Sequence, residues 1–227
     1  MSESSSQQHR RRGLWEKLFD GTIGQVLRFL SWSFMAIIIS VLIEWIGMLA
    51  DWWDRHHSRE MLISEIQYLN HVGQNAILNI YPKDVAAHML TAVDDTISDW
   101  GLRTLSHSLT GILLPVAYAI EAAINILYVF IVRFAVVLGI LPGLTIIFLL
   151  AVADGLSERN IRTYCGGVES SWLYHHAKRL LAPSVIIVSG LYMTLPFSLN
   201  PLWFFLPLLF VFWLTAFITA STFKKFL

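Results

Sequence analysis

Between positions 112 and 153 the chain runs for 42 residues with only Glu121, Asn125 and Arg133 interrupting an apolar series. A bilayer core is about 30 Å thick and is crossed by roughly 20 helical residues, so this run is too long for one crossing and long enough for two. Composition points the same way: 56% of the 227 residues are hydrophobic and 14% are charged, against about 25% charged in ordinary soluble domains. The chain reads as an all-α polytopic helical membrane protein, and the open question is the number of crossings.

Three further segments can cross. Residues 29–50 would rise roughly 33 Å as a helix. Trp45, Trp52 and Trp53 lie near its far end, where an indole ring, apolar in body and polar at one edge, favours the headgroup region. Residues 182–227 read as a transmembrane hairpin and a C-terminal end, with crossings at about 180–197 and 201–220 parted by the turn formers Ser198, Asn200 and Pro201. Ahead of the first crossing, 1–28 begins as a Ser-, Gln- and Arg-rich disordered tail. It continues with Leu14, Trp15, Leu18, Phe19, Ile23, Val26 and Leu27 at helical spacing, either an interfacial helix or the mounting end of the crossing. The run after Arg10, Arg11 and Arg12 has no small-residue cleavage pattern and reads as uncleaved.

Residues 51–111 are polar and carry two helical stripes. The first is Leu62, Ile66, Leu69, Ala76, Ile77 and Ile80; the second is Val85, Met89, Leu90, Val93, Ile97 and Trp100. Pro82 suits a first helical turn and Gly101 a C-terminal cap, so the spacing predicts an amphipathic helical hairpin. From 51 to 110 there are four Lys/Arg against eight Asp/Glu. Basic residues gather instead at Arg10 to Arg12, at Arg159, Arg162, Lys178 and Arg179, and at Lys224 and Lys225. Basic loops stay in the cytoplasm, which puts both termini and the 154–181 basic loop inside and the hairpin in the periplasm. That arrangement needs an odd number of crossings within 112–153. The four-crossing solution lays 112–132 on the outer surface as an interfacial helix and crosses at 134–153; a five-crossing model is the rival.

Charges inside apolar runs are costly, about 2.5–3.5 kcal/mol for a mid-membrane carboxylate. Glu44 and Arg133 come to similar depth in the four-crossing model, so they are expected to form an intramembrane ion pair; a proton or ion pathway through Glu44, Glu121 and Arg133 is the competing reading. Gly139 and Gly143 make a G-x-x-x-G pair around Pro142, suited to close helix contact or to a local bend. Adjacent histidines at 56–57 and 175–176 point about 100° apart on a helix and lack metal-ligand spacing. Cys165 is the sole cysteine. Nucleophile-elbow and phosphate-loop motifs are absent from the sequence, so no cofactor and no catalysis are expected. Basic residues are too few and too mixed with acids for a phosphate-tracking stripe, so direct nucleic-acid binding is not expected.

The 154–181 segment carries the most specific pattern. Gly166 and Gly167 would end one short helix and Glu169 or Ser170 would cap the next. Lipid contact alone needs only charge, whereas this loop adds paired Gly, paired Ser and aromatics, which favours a folded docking surface made of Arg159, Arg162, Gly166, Gly167, Glu169, Ser170, Ser171, Tyr174, His175, Lys178 and Arg179. Together with Asp154-Gly155-Leu156, the apolar hairpin and the terminal Phe223-Lys224-Lys225, this run resembles a family of inner-membrane proteins encoded in bacterial integrating conjugative elements and related plasmids. Genes of that family tend to lie beside the one for the type IV secretion coupling ATPase. The resemblance is strongest over 150–227. It implies a non-catalytic subunit of a conjugative DNA-transfer apparatus, located in the bacterial inner membrane. Its expected partners are other membrane proteins of the apparatus, with the coupling ATPase a candidate; oligomeric state stays open. A small transporter or channel is the alternative function, and a membrane enzyme using Asp154, His175 and His176 a third.

Overall fold

A computed structural model describes residues 14–71, 81–165 and 171–223, and every regular element among them is helical. In chain order these are α1 (Leu14–Leu49), α2 (His57–His71), α3 (Pro82–Asp99), α4 (Leu102–Ser108), a 3-10 turn (Gly111–Leu113), α5 (Leu114–Cys165), α6 (Ser171–Thr194) and α7 (Pro201–Ser221).

Local chemistry sets most of the boundaries. Pro82 opens α3 where its missing N–H costs nothing. Gly101, at φ 67°, makes the left-handed step between α3 and α4 that a side chain would resist. Asn200 caps α7 by accepting the Leu202 N–H at 3.0 Å.

Two expected breaks are not present. The chain was expected to divide near Arg133 into an interfacial helix and a crossing, yet α5 runs through as one helix of 52 residues. Its internal proline is Pro142, and Arg133 has its charge satisfied sideways by neighbours, so nothing at 133 favours an end. Nor does a separate short helix follow the crossing in the 154–181 stretch: α5 continues unbroken to Cys165, and α6 begins at Ser171, so that stretch is mostly helix on either side of 166–170. α1 is also continuous from Leu14, so 14–28 is the mounting end of the long helix rather than a separate surface helix. The 1–13 tail and the end from 224 lie outside the described residues.

α5 is the axis on which the other helices pack. α2 lies alongside its first half in the same sense, Ser58 near Asn125 and Glu65 at Arg133. α3 runs back the other way, Asp94 meeting Tyr128 and Pro82 lying against Gly139. Residues 72–80, which carry Ala76, Ile77 and Ile80 of the expected first stripe, lie outside the described residues. Along the second half of α5, α7 approaches so closely that a Cβ on Gly155 would stand 2.6 Å from the Ala220 Cβ and 2.7 Å from the Phe217 carbonyl oxygen. The G-x-x-x-G pair does not act as a unit: Gly139 faces Pro82, and a Cβ on Gly143 would meet nothing. Val132, Ala135, Val136, Val137, Tyr192, Phe205 and Leu208 form the main core where α5, α6 and α7 meet.

Three helical stretches are long and apolar enough to cross a membrane: Leu30–Leu49, Gly111–Cys165 and Pro201–Ser221. α6, which carries His175, His176, Lys178 and Arg179 in its first half, is not among them. Leu42, Ile46, Ile187, Leu191, Phe210 and Leu149 are exposed on the outward faces of α1, α6, α7 and α5, as lipid-facing residues would be.

Candidate functional site

Arg133 is 1% exposed in the middle of α5, and the chain surrounds it with acceptors. Its Nε and Nη2 donate to Glu65 Oε1 at 2.9 and 2.8 Å. Nη1 donates to the Leu195 carbonyl at 2.7 Å and Nη2 to the Phe197 carbonyl at 2.8 Å. The Met193 carbonyl, 3.4 Å from Nη1, also accepts from Ser40 Oγ. The second Glu65 oxygen takes the Tyr192 hydroxyl at 3.1 Å. A buried guanidinium is tolerable only when its N–H groups are matched in this way. It also answers the carbonyls that α6 and the following turn leave without helical partners. One side chain thus joins α2, α5 and the α6–α7 turn, with α1 held through Ser40.

The expected Glu44–Arg133 ion pair is not formed. Glu44, 1% exposed, instead takes His57 Nδ1 at 3.0 Å, and the His57 ring is stacked on Trp53. The two groups do share the lining of one small enclosed space. Each found a closer partner because α2 folds back along α5, placing His57 by Glu44 and Glu65 beside Arg133. Glu65 was missed because the α2 stripe was set off by about one position. The buried face is Ser58, Met61, Glu65 and Leu69, whereas Ile66 is exposed. The signal was the i, i+4 series 61, 65, 69, with a carboxylate in its centre.

A second polar lock holds α4: the Tyr128 hydroxyl donates to Asp94 Oδ1 at 2.6 Å, and Arg103 donates to both Tyr128 and Asp94. Glu121 is exposed on α5.

At the other end of α5 the structure gathers part of the expected docking surface. The Arg159 guanidinium lies 6.0 Å from the Phe223 ring centre. Tyr174 packs edge-on to Phe223 at 5.9 Å, and Lys178 lies over Tyr174 at 5.7 Å. These contacts join the ends of α5, α6 and α7 in one aromatic and basic cluster. Phe223, which the sequence offered only as part of a terminal motif, stands at its centre. Arg162 turns to Glu158, one turn back on its own helix, at 3.2 Å. His175 and Arg179 are exposed, with His175 edge-on to Tyr174. Ser171 opens α6, while Gly166, Gly167, Glu169 and Ser170 lie outside the described residues. His176 bonds the Trp172 carbonyl at 2.9 Å; among the described residues no hydrogen bond links Asp154 to His175 or His176.

Residues 83–224 match the family model described as IncC plasmid conjugative DNA transfer protein DtrJ-like. The matched stretch holds Arg133, Tyr192 and the whole basic cluster; Glu44, His57 and Glu65 precede it. No curated protein and no solved structure matches the chain.

Proposed function

The chain belongs to the DtrJ-like family of conjugative DNA transfer proteins, and we propose that it serves conjugation as a non-catalytic inner-membrane subunit that docks a partner through its basic end. In this reading α1, the second half of α5, α6 and α7 are four crossings, both termini are cytoplasmic, and α2 and α3 form a periplasmic hairpin. The observation that carries it is α5. Its 52 residues rise roughly 78 Å, far more than a bilayer core of about 30 Å needs. One half is clasped by the polar-faced α2, α3 and α4; the other lies beside helices whose outward faces are apolar and ends among Arg159, Arg162, Lys178 and Arg179. A helix of that length ties an outer assembly rigidly to a cytoplasmic surface.

The partners are other membrane proteins of a type IV secretion-like apparatus, the coupling ATPase being the first to test, in integrating elements as in plasmids. The transporter alternative is disfavoured by packing. The enclosed space between Glu44 and Arg133 measures about 10 Å³, the scale of a single water, and the charges around it are paired.

Replacing Arg159 and Arg162 together by Ala should cut transfer frequency about tenfold or more, equivalent to about 1.4 kcal/mol of lost recognition, with membrane insertion and protein level unchanged. Lys at both positions separates charge from shape, since a lysine attracts lipid equally well but cannot form the planar two-pronged contact with a partner carboxylate. Unaltered transfer by the Ala variant would remove the docking role.

A further inference from the structure

We propose that the partner docked at the basic end is gripped by exposed apolar anchors beyond the membrane, Ile161 and Tyr164 on α5 and Trp172 on α6, and that it receives them in an apolar pocket rimmed by carboxylates. This inference rests on the docking reading and on the crossings that go with it.

Depth along the helices separates these anchors from lipid. In the four-crossing arrangement α5 leaves the hydrocarbon core near 153 and α6 enters it near 180. At 1.5 Å per residue, Ile161 and Trp172 then stand roughly 12 Å beyond the core and Tyr164 roughly 16 Å, past a headgroup layer of roughly 5–7 Å. Tyr164 is 91% exposed, Trp172 68% and Ile161 58%, so the fold does not cover them either. Ile161 and Tyr164, three residues apart, share one face of α5. It turns away from the Gly155 side, which packs on α7. The Trp172 ring meets His176 on its own helix, 4.2 Å between centres. Large apolar groups left open to water mark a contact surface, and Trp and Tyr are the anchors that most often carry binding energy at one.

Charge decides what covers them. Over 154–165 and 171–180 there are four cations, Arg159, Arg162, Lys178 and Arg179, against two carboxylates, Asp154 and Glu158. Glu158 is taken by Arg162, and among the described residues no carboxylate forms an ion pair with Arg159, Lys178 or Arg179. A second copy docking symmetrically would set this patch against itself and bring those cations face to face. A different protein with an acidic rim meets both the rings and the charge.

The test uses the full chain in donor cells and reads transfer frequency. Tyr164→Ala and Trp172→Ala should each lower it about tenfold or more at normal membrane level, because both side chains are exposed; Tyr164→Phe should retain it. Asn160, exposed one turn before Tyr164, probes the rim: Asn160→Asp, nearly identical in shape, should lower transfer by repulsion, and Asn160→Lys should not. Normal transfer by the Tyr164→Ala, Trp172→Ala double variant, or by Asn160→Asp, would overturn the proposal. If the Arg159→Ala, Arg162→Ala variant still loses transfer in that case, the docking reading survives without these anchors; if it does not, both fall. The sole cysteine, exposed Cys165, checks the other occupants. A bimane on it, in vesicles of phosphatidylcholine and phosphatidylglycerol, should be quenched by iodide in the water. Quenching by nitroxide-bearing lipid instead would give the tip to the bilayer, and joining of two chains through Cys165 by a bis-maleimide in native membranes would give it to a second copy; either result overturns the proposal.

Discussion

At the scale of single residues, the molecule turns on how Arg133 is satisfied. Removing one member of a buried ion pair strands the other, which costs about 3–5 kcal/mol, whereas replacing both by apolar groups costs far less. Arg133→Met and Glu65→Leu should each lower resistance to SDS-driven unfolding by about that amount. The double variant should recover part of the loss, but not all, because the Leu195 and Phe197 carbonyls still lose their donors. Glu44→Gln combined with Arg133→Met should be additive within about 0.5 kcal/mol; strong coupling there would restore the pairing first expected from sequence. That both Glu44 and Arg133 need partners was legible in the sequence, since each stands in an apolar run. Which partner each takes was not, because depth along two helices does not say which third helix folds back between them. Gly155 offers a second check on close packing. Gly155→Leu should overpack the contact with Ala220 and cost about 1–3 kcal/mol or more, while Gly143→Ala, facing open space, should be harmless.

Among the elements, α5 departs most from what the sequence suggested. The rule that basic segments stay inside required an odd number of crossings within 112–153, and the single-crossing solution placed Arg133 at a boundary. The structure pairs the charge laterally, so the helix continues. Pro142 likewise leaves α5 unbroken, as prolines inside well-packed apolar helices do when neighbours fill the gap. Spin labels at Glu121 and Ser157, both exposed on α5, should lie roughly 54 Å apart at 1.5 Å per residue. The labels require a background in which Cys165 is replaced. A spacing under about 40 Å would mean that α5 divides in two. The amphipathic helices α2 and α3 were legible because Pro82 and Gly101 punctuate them and their apolar stripes are regular. The stripe on α2 was placed about one position away because its buried face contains Ser58 and Glu65, which polarity alone assigns to water.

For the molecule as a whole, charge asymmetry and apolar length were the most informative features of the sequence. They gave the all-helical architecture and the segregation of acidic and basic segments along the chain; of the four expected crossings, three stretches are long and apolar enough to span a membrane, and α6 is not among them. The basic cluster was legible only in part: Arg159, Tyr174 and Lys178 do converge, but through Phe223, which lies some fifty residues away in sequence and comes near only because α7 returns along α5. The account stands or falls on α5 joining two sides of a membrane. Single cysteines at Ser108, at the end of α4, and at Ser157, near the basic end of α5, can be probed with a membrane-impermeant maleimide in intact cells lacking an outer-membrane barrier, with Cys165 replaced. The account predicts that Ser108→Cys is labelled from outside and that Ser157→Cys reacts only after the inner membrane is opened; labelling of both from the same side would contradict it.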